Sequence, residues 1–208
     1  MTRERGGTAA PGERTRRRLS TQERREQLLA VGAKLFAQAP YDDVWIEEVA
    51  EIAGVSRGLL YHYFPNKRDF FAAVVQRESA RMLRLTAAVP GIPVRDQLGT
   101  GLDTFLDYVV THAHGFRAFH SAEAAGDPAV RAAYREGLAA HEAQIMAALA
   151  ADPHIADRLP EPAVLRLAVR GWLAFLVGVC LDWLDGGELA REQVRDLCAR
   201  ALVGAIGI

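Results

Sequence analysis

An all-α fold is predicted by three observations. Apolar residues recur at three- and four-residue spacing along nearly the whole 208-residue chain and alternate nowhere for long. Half of the residues are hydrophobic but only 8% are aromatic, with Ala, Leu, Arg and Glu prominent. Proline and glycine clusters cut the chain into pieces of helix length. A chain of this size has room for a small domain fused to a medium one, and half apolar content supplies a core.

The elements follow in order. Residues 1–19 place Gly6, Gly7, Pro11 and Gly12 among arginines with no apolar period, the composition of a mobile arm. Ser20 or Thr21 caps a first helix, helped by Glu23, with Leu28, Val31, Gly32, Leu35 and Phe36 as its buried stripe and an end near Gln38, ahead of Pro40. A second helix spans about Ile46 to Ala53, and Gly54 ends it because glycine turns left-handed without strain. Ser56 caps a third, Arg57 to Phe64, which Pro65 closes. Two short helices joined by three residues make a helix-turn-helix. A fourth helix begins at Asn66 or Lys67 and runs to about Leu85, packing Phe70, Phe71, Val74 and Val75 back on the first three. The break from Ala88 to Pro93 marks the end of this connecting helix. Further helices are expected near 95–113, 115–124, 128–150, 161–185 and 188–206. The domain reading is therefore an arm over 1–19, a three-helix head over 20–65 and a helical body over 66–208.

Net charge is −1, but its distribution is uneven. Residues 1–77 carry 13 Lys and Arg against 10 Asp and Glu, and residues 78–208 carry 12 against 16, giving about +3 and −4. A basic head on a mildly acidic body suits a nucleic-acid reader with a separate second function. Cys180 and Cys198 lie far apart in apolar helical contexts and are expected as core packing in a reducing cytoplasm. No apolar stretch follows the N-terminal arginines, so no signal peptide is expected. The longest apolar run, Gly171 to Leu181, is shorter than the roughly 20 residues of a membrane span, and no membrane partner is expected.

The segment Val49-Ala50-Glu51-Ile52-Ala53-Gly54-Val55-Ser56-Arg57-Gly58-Leu59-Leu60-Tyr61-His62-Tyr63-Phe64-Pro65-Asn66-Lys67 resembles the recognition signature of the TetR family of regulators, and the likeness extends over residues 21–75. The resemblance implies a homodimer with a helix-turn-helix head that binds double-stranded operator DNA. It also implies a C-terminal domain for dimerisation and for a small-molecule effector, unidentified here, whose entry lowers DNA affinity.

The same residues make physical sense without a family. A recognition helix presents its first turn and one face to the major groove while the other face holds the domain together. Leu60, Tyr63 and Phe64 are spaced to pack inward, leaving Arg57, Gly58, Leu59, Tyr61 and His62 outward. Gly58 permits close approach, Ser56 and the helix-start N–H groups suit a phosphate oxygen, and Tyr61 and Lys67 reach flanking phosphates. Arg57 matches a guanine edge and Leu59 a thymine methyl. The bland alternatives are a solvated Arg57 and His62 and a packing role for Tyr61. Arg16, Arg17 and Arg18, with Arg14, are candidates to follow the backbone or enter the minor groove, the alternative being a solubilising tail. One departure from the family pattern stands at the second helix, where Asp43-Val44-Trp45 replaces the usual Ser or Thr cap. Asp42 or Asp43 would cap instead, and Trp45 would stack on the sugar-phosphate edge or fold onto the first helix.

In the body, the 161–185 helix is apolar nearly all round and must be covered on both sides. With the last helix, whose Val194, Leu197, Cys198, Ala201, Leu202 and Ala205 share a face, it looks like the pair forming a four-helix dimer interface in this family, Gly171 and Gly178 allowing close approach. Phe105, Tyr108, Phe116, Phe119, Trp172 and Phe175, with Arg117 and His120, are candidates to line an effector cavity, the alternative being plain core. His112, His114 and His120 invite a metal, but i and i+2 point apart on a helix and no ligand set is complete, so neither metal nor cofactor is expected. Catalysis would need a nucleophile–base pair, a metal constellation or a phosphate-cradling loop, none of which the sequence offers. The expected function is thus a cytoplasmic ligand-responsive repressor, with a small-molecule sensor or interaction module that lacks DNA binding as the alternative.

Overall fold

The computed structural model describes residues 19–121 and 126–207, and among them it is helical throughout. The head consists of α1 (Thr21–Gln38), α2 (Ile46–Ala53) and α3 (Arg57–Tyr63), and α4 (Lys67–Leu85) leads out of it. The body follows as α5 (Val94–Thr111), α6 (Ala113–His120), α7 (Pro128–Ala151), α8 (Pro162–Leu184) and α9 (Arg191–Ile206). The expected order of helices is the observed one, with ends shifted by a few residues. The largest shift is in α6, which starts directly after His112 because α5 ends there.

Local chemistry accounts for most boundaries. Ser20 and Glu23 form a reciprocal cap at α1, the Ser20 hydroxyl accepting from the Glu23 N–H at 3.2 Å and the Glu23 carboxylate from the Ser20 N–H at 2.8 Å. Gly54 takes φ +65° after α2, the left-handed turn that sends the chain into α3. Ser56 caps α3 through the Leu59 N–H, and Asn66 caps α4 through the Asp69 N–H. Asp127 accepts from the N–H groups of Ala129 and Val130 to start α7. Asp152, just past α7, does the same for Val94 at α5 from a distance in sequence that no local pattern reveals.

The start of α2 departs from expectation. Neither Asp42 nor Asp43 caps it. Both lie in a single 3-10 turn, Tyr41–Asp43, and Trp45 occupies the cap position with no side-chain hydrogen bond. Trp45 does not fold onto α1 either, since 72% of it is exposed.

Two apolar clusters hold the molecule together. The first joins Leu28, Leu29 and Phe36 of α1, Val49 of α2, Leu60 of α3 and Phe70, Phe71 and Val74 of α4, and it continues into Val130 and Ala133 of α7. The head core thus includes the body's longest helix. Gly32 sits where α1 crosses α4: a methyl group there would stand 2.3 Å from the Phe70 ring. Gly32→Ala is expected to displace Phe70 and cost about 1–3 kcal/mol, read as a lower urea midpoint at unchanged slope; an unchanged midpoint would show that this crossing is loose.

The second cluster gathers Leu106 and Val109 of α5, Leu149 of α7, Val169, Trp172 and Cys180 of α8, and Val194 and Cys198 of α9. Trp172 donates its indole N–H to the Cys198 carbonyl at 2.8 Å. Burial pushes the Cys180 and Cys198 thiols up to about 12 and 11, so both are packing groups and not nucleophiles. One expectation needs correcting: α8 as a whole, 23 residues, is long and apolar enough to cross a membrane by length and composition, because Arg166, Arg170 and Asp182 are too few to break it. Only a third of its most apolar window is buried within the chain. Its outer face, with Leu167 72% and Val164 51% exposed and Gly171 and Gly178 open on their Cβ side, lacks a cover within this chain.

Candidate nucleic-acid interface and effector cavity

The turn at Gly54 sets α3 across α2 so that one side of α3 packs and the other is free. Leu60 and Phe64 are buried, Tyr63 is half-buried with its hydroxyl 3.4 Å from the Thr21 carbonyl, and Ser56, Arg57, Gly58, Tyr61 and His62 are exposed. Leu59, expected outward, is half-buried. Nothing approaches the open side of Gly58 within 4 Å, so a duplex backbone meets no obstacle there. Trp45 stands exposed at the start of α2, on the same side of the head as Tyr61, whose partner Glu47 lies two residues on. Arg16, Arg17 and Arg18 lie outside the described residues.

The exposed groups are not idle. Tyr61 donates its hydroxyl to Glu47 of α2 at 2.5 Å, a bond that holds the Glu47 carboxyl below its usual range and raises the Tyr61 phenol. Arg57 lies 3.4 Å from Glu51, one turn further along α2. Lys67 donates to the Asp42 carbonyl at 3.2 Å and places its ammonium 4.5 Å from the Tyr41 ring centroid, and burial lowers its pKa. Each cationic or hydroxyl group meant for a phosphate therefore already has an acceptor inside the head.

The charge reading also needs refinement. Residues 20–65 carry four basic residues (Arg24, Arg25, Lys34, Arg57) against seven acidic ones, a net −3, whereas residues 1–19 carry six Arg against two Glu, a net +4. With +2 from residues 66–77, this reproduces the +3 of the N-terminal part, so the excess belongs to the arm and not to the helix-turn-helix. The half-chain sum concealed this because it averaged over both segments.

A cavity of about 390 Å³ opens inside the body, walled by α4, α5, α6, α7 and α8, with Leu202 of α9 at one end. It is within the size range of small-molecule sites, about 300–1,000 Å³. Phe105, Tyr108, Phe116, Phe119, His120 and Trp172 line it. Arg117 and Phe175 do not. Arg117 points to the end of α8, donating to Asp185 at 2.7 Å and to the Leu184 carbonyl, and Phe175 is 38% exposed on the outer face of α8. Periodicity on α5, α6 and α8 identified one side of the cavity but missed the other: Ser79 and Met82 of α4 and Leu138, His141, Gln144 and Ile145 of α7 look, from sequence, like ordinary faces of amphipathic helices.

His120 is clasped by rings, with centroids of Phe116, Phe119 and Tyr134 at 4.5, 4.8 and 5.5 Å, and burial lowers its pKa from 6.5 to about 4. Because the unfolded chain takes up this proton first, stability is full above about pH 6.5 and declines on acidification toward pH 4 by on the order of 2–3 kcal/mol. His141, lowered by its own burial, acts in the same sense. Urea melts across this range should show His120→Gln losing less stability on acidification than the unaltered chain; parallel curves would remove His120 as the cause.

Cavity and head share parts. Arg77 of α4 pairs with Glu26 of α1 at 2.5 Å and with Glu78, whose side chain lines the cavity. Gly115 of α6, also in the lining, packs against the backbone of Phe36 so closely that a Cβ would stand 3.1 Å from its carbonyl oxygen.

Comparison with known proteins places the two halves. Residues 28–74 match the family model for bacterial regulatory proteins of the tetR family, and residues 94–205 match that of the tetracyclin repressor-like C-terminal domain. The chain is 30% identical over 135 residues to the HTH-type transcriptional activator FasR of Mycolicibacterium smegmatis, covering 63% of this chain and 62% of that protein. It is 31% identical over 64 residues to the HTH-type transcriptional repressor AcnR of Corynebacterium diphtheriae, covering 31% of this chain and 34% of that one. A crystal structure of a tetR-family transcriptional regulator from Streptomyces coelicolor superposes with a TM-score of 0.76 at 30% identity, covering 90% of this chain and 82% of that chain.

Proposed function

Because this chain belongs to the TetR family of HTH transcriptional regulators, we propose that it is a homodimeric repressor that leaves its operator when a small molecule enters the cavity of its body. The observation that carries the reading is the division of α3 into a packed face, Leu60 and Phe64, and a free face, Arg57, Gly58, Tyr61 and His62. On the operator, Tyr61 and Lys67 exchange Glu47 and the Asp42 carbonyl for phosphate oxygens, and Arg57 exchanges Glu51 for a base edge. Ser56, its hydroxyl used as the α3 cap, contributes through position, and Leu59 through its exposed methyl groups. Trp45 lies against the sugar-phosphate edge, and the arginines at 16–18 supply the sequence-independent part of the grip.

Dimerisation buries the free face of α8. Val164, Leu167, Gly171, Phe175 and Gly178 follow one another at three- and four-residue spacing, the pattern of a helix packed on its copy. Two heads then present their α3 helices about 34–36 Å apart to successive major grooves.

Coupling runs through α4 and α6. A molecule in the cavity presses on Glu78 and Gly115, and these are tied to the head by the Glu26–Arg77–Glu78 chain and by the Phe36 contact. A small rotation of α4 changes the spacing of the two α3 helices, and a rigid duplex tolerates little change. Repression, not activation, is the sign proposed, although the relatives bear both names.

The test is a gel shift against the gene's own upstream region at 50 and 200 mM salt. Tight binding that weakens steeply with salt supports the reading. No salt-sensitive affinity for any duplex overturns it in favour of a sensor without DNA binding, for which the exposed Trp45 and the carboxylates on α2 would be the reason.

A further inference from the structure

The cavity's wall is poor in charge in a specific way, and this bears on what it holds. Of its lining residues only Glu78 carries a full charge at neutral pH. Glu78 is 6% exposed, and both of its oxygens are taken: Arg77 holds one and Arg81 the other, at 3.1 Å. His120 and His141 are neutral there, each held so by burial. The remaining wall is mostly aliphatic and aromatic, from Met82, Phe105, Phe116, Leu138, Ile145 and Trp172. The polar atoms that face no protein partner among the described residues are uncharged ones: the ring nitrogens of His120, the hydroxyls of Tyr108 and Tyr134, and the Gln144 Oε1, whose amide N–H donates instead to Thr86.

Resting on the effector reading of this cavity, we infer that its ligand is an uncharged, mainly apolar molecule with one or two hydrogen-bonding groups that meet His120, Tyr134 or Gln144. A carboxylate or phosphate would enter with no free cation to receive it and with Glu78 close by. An ammonium would find Glu78 already satisfied and two guanidinium groups beside it. Either ion would leave its water shell without a counter-charge, a cost that burial of apolar surface in a cavity of about 390 Å³ does not offset. A neutral hydroxyl, carbonyl or amide loses only a hydrogen bond or two, and the free polar atoms on the wall replace them.

The experiment uses the full chain and one ten-carbon skeleton in three charge states. N-phenyl-1-naphthylamine, an uncharged fluorophore, is titrated into the protein at pH 7.5 and then displaced by decan-1-ol, decanoate or decylammonium. Saturable binding is expected, with decan-1-ol displacing the fluorophore at a concentration at least about tenfold lower than either ion. Decanoate or decylammonium competing as well as the alcohol, or no saturable binding at all, overturns the inference. Ile145→Trp, which fills the cavity, should abolish the fluorescence rise; should that variant not fold, the charge series on the unaltered chain still decides. Release of DNA is read separately by adding decan-1-ol to the gel shift: displacement of the fluorophore without release leaves the ligand class standing and removes the effector role.

Discussion

A chain carrying Leu167→Glu is expected to be monomeric and to bind its operator at least about 10²-fold more weakly than the unaltered protein. Leu167 is the most exposed aliphatic residue of α8, at 72%, so glutamate there leaves the chain's own core untouched. In the dimer the same position would press a carboxylate against its symmetry mate within an apolar seam. Two like charges desolvated together cost several kcal/mol. A monomer grips one half-site only and loses the advantage of linked binding, which reaches 10²–10⁴ where geometry allows both sites to be engaged. Light scattering reads the mass and circular dichroism the helix content. A variant that stays dimeric with native helicity would show that the α8 face is not the seam.

Replacing Tyr61 and Lys67 together by alanine is expected to reduce operator affinity by a comparable factor through a different route. Each contributes one phosphate contact, worth about 1–1.5 kcal/mol, so the pair amounts to roughly 10²-fold. Only Lys67 releases a counterion, so the salt slope should become shallower by about one unit, not two. Neither side chain belongs to the head core, and mass and helix content should be unchanged. Unaltered affinity would refute the contact map, and loss of the dimer would show that the head and the seam are not independent.

The sequence revealed the fold to the extent that structure is local. Caps at Ser20, Ser56 and Asp127, the left turn at Gly54 and the stops at Pro40 and Pro65 depend on neighbours within four residues, and each is legible as a pattern. The start of α2 was not, because Trp45 carries no capping chemistry and the 3-10 turn before it is fixed by Tyr41 stacking on Phe36, 5.9 Å away, and on Phe71. For the cavity, helical spacing identifies which residues share a face but not what that face meets. Arg117 and Phe175 share helices with lining residues and point elsewhere, one drawn by Asp185 and the other left on the outside. Gln144 and His141 were invisible for the opposite reason, since a polar residue on a long amphipathic helix reads as solvated unless its neighbours across space are known. The partners of Arg57 and Tyr61 were likewise out of reach, because the geometry of the turn decides that Glu51 and Glu47 face α3.

Those two carboxylates affect how the protein moves through a chromosome. A helix-turn-helix with a surplus of negative charge gains almost nothing from displaced counterions on arbitrary sequence, because there the base edges offer no compensation for giving up Glu47 and Glu51. Holding on to random duplex is left to the arginines of residues 1–19, so adhesion and discrimination reside on separate stretches of chain. Trimming the first stretch would lower attachment everywhere while sharpening the preference for the cognate site, and few copies would then be wasted on the competing sites of a genome.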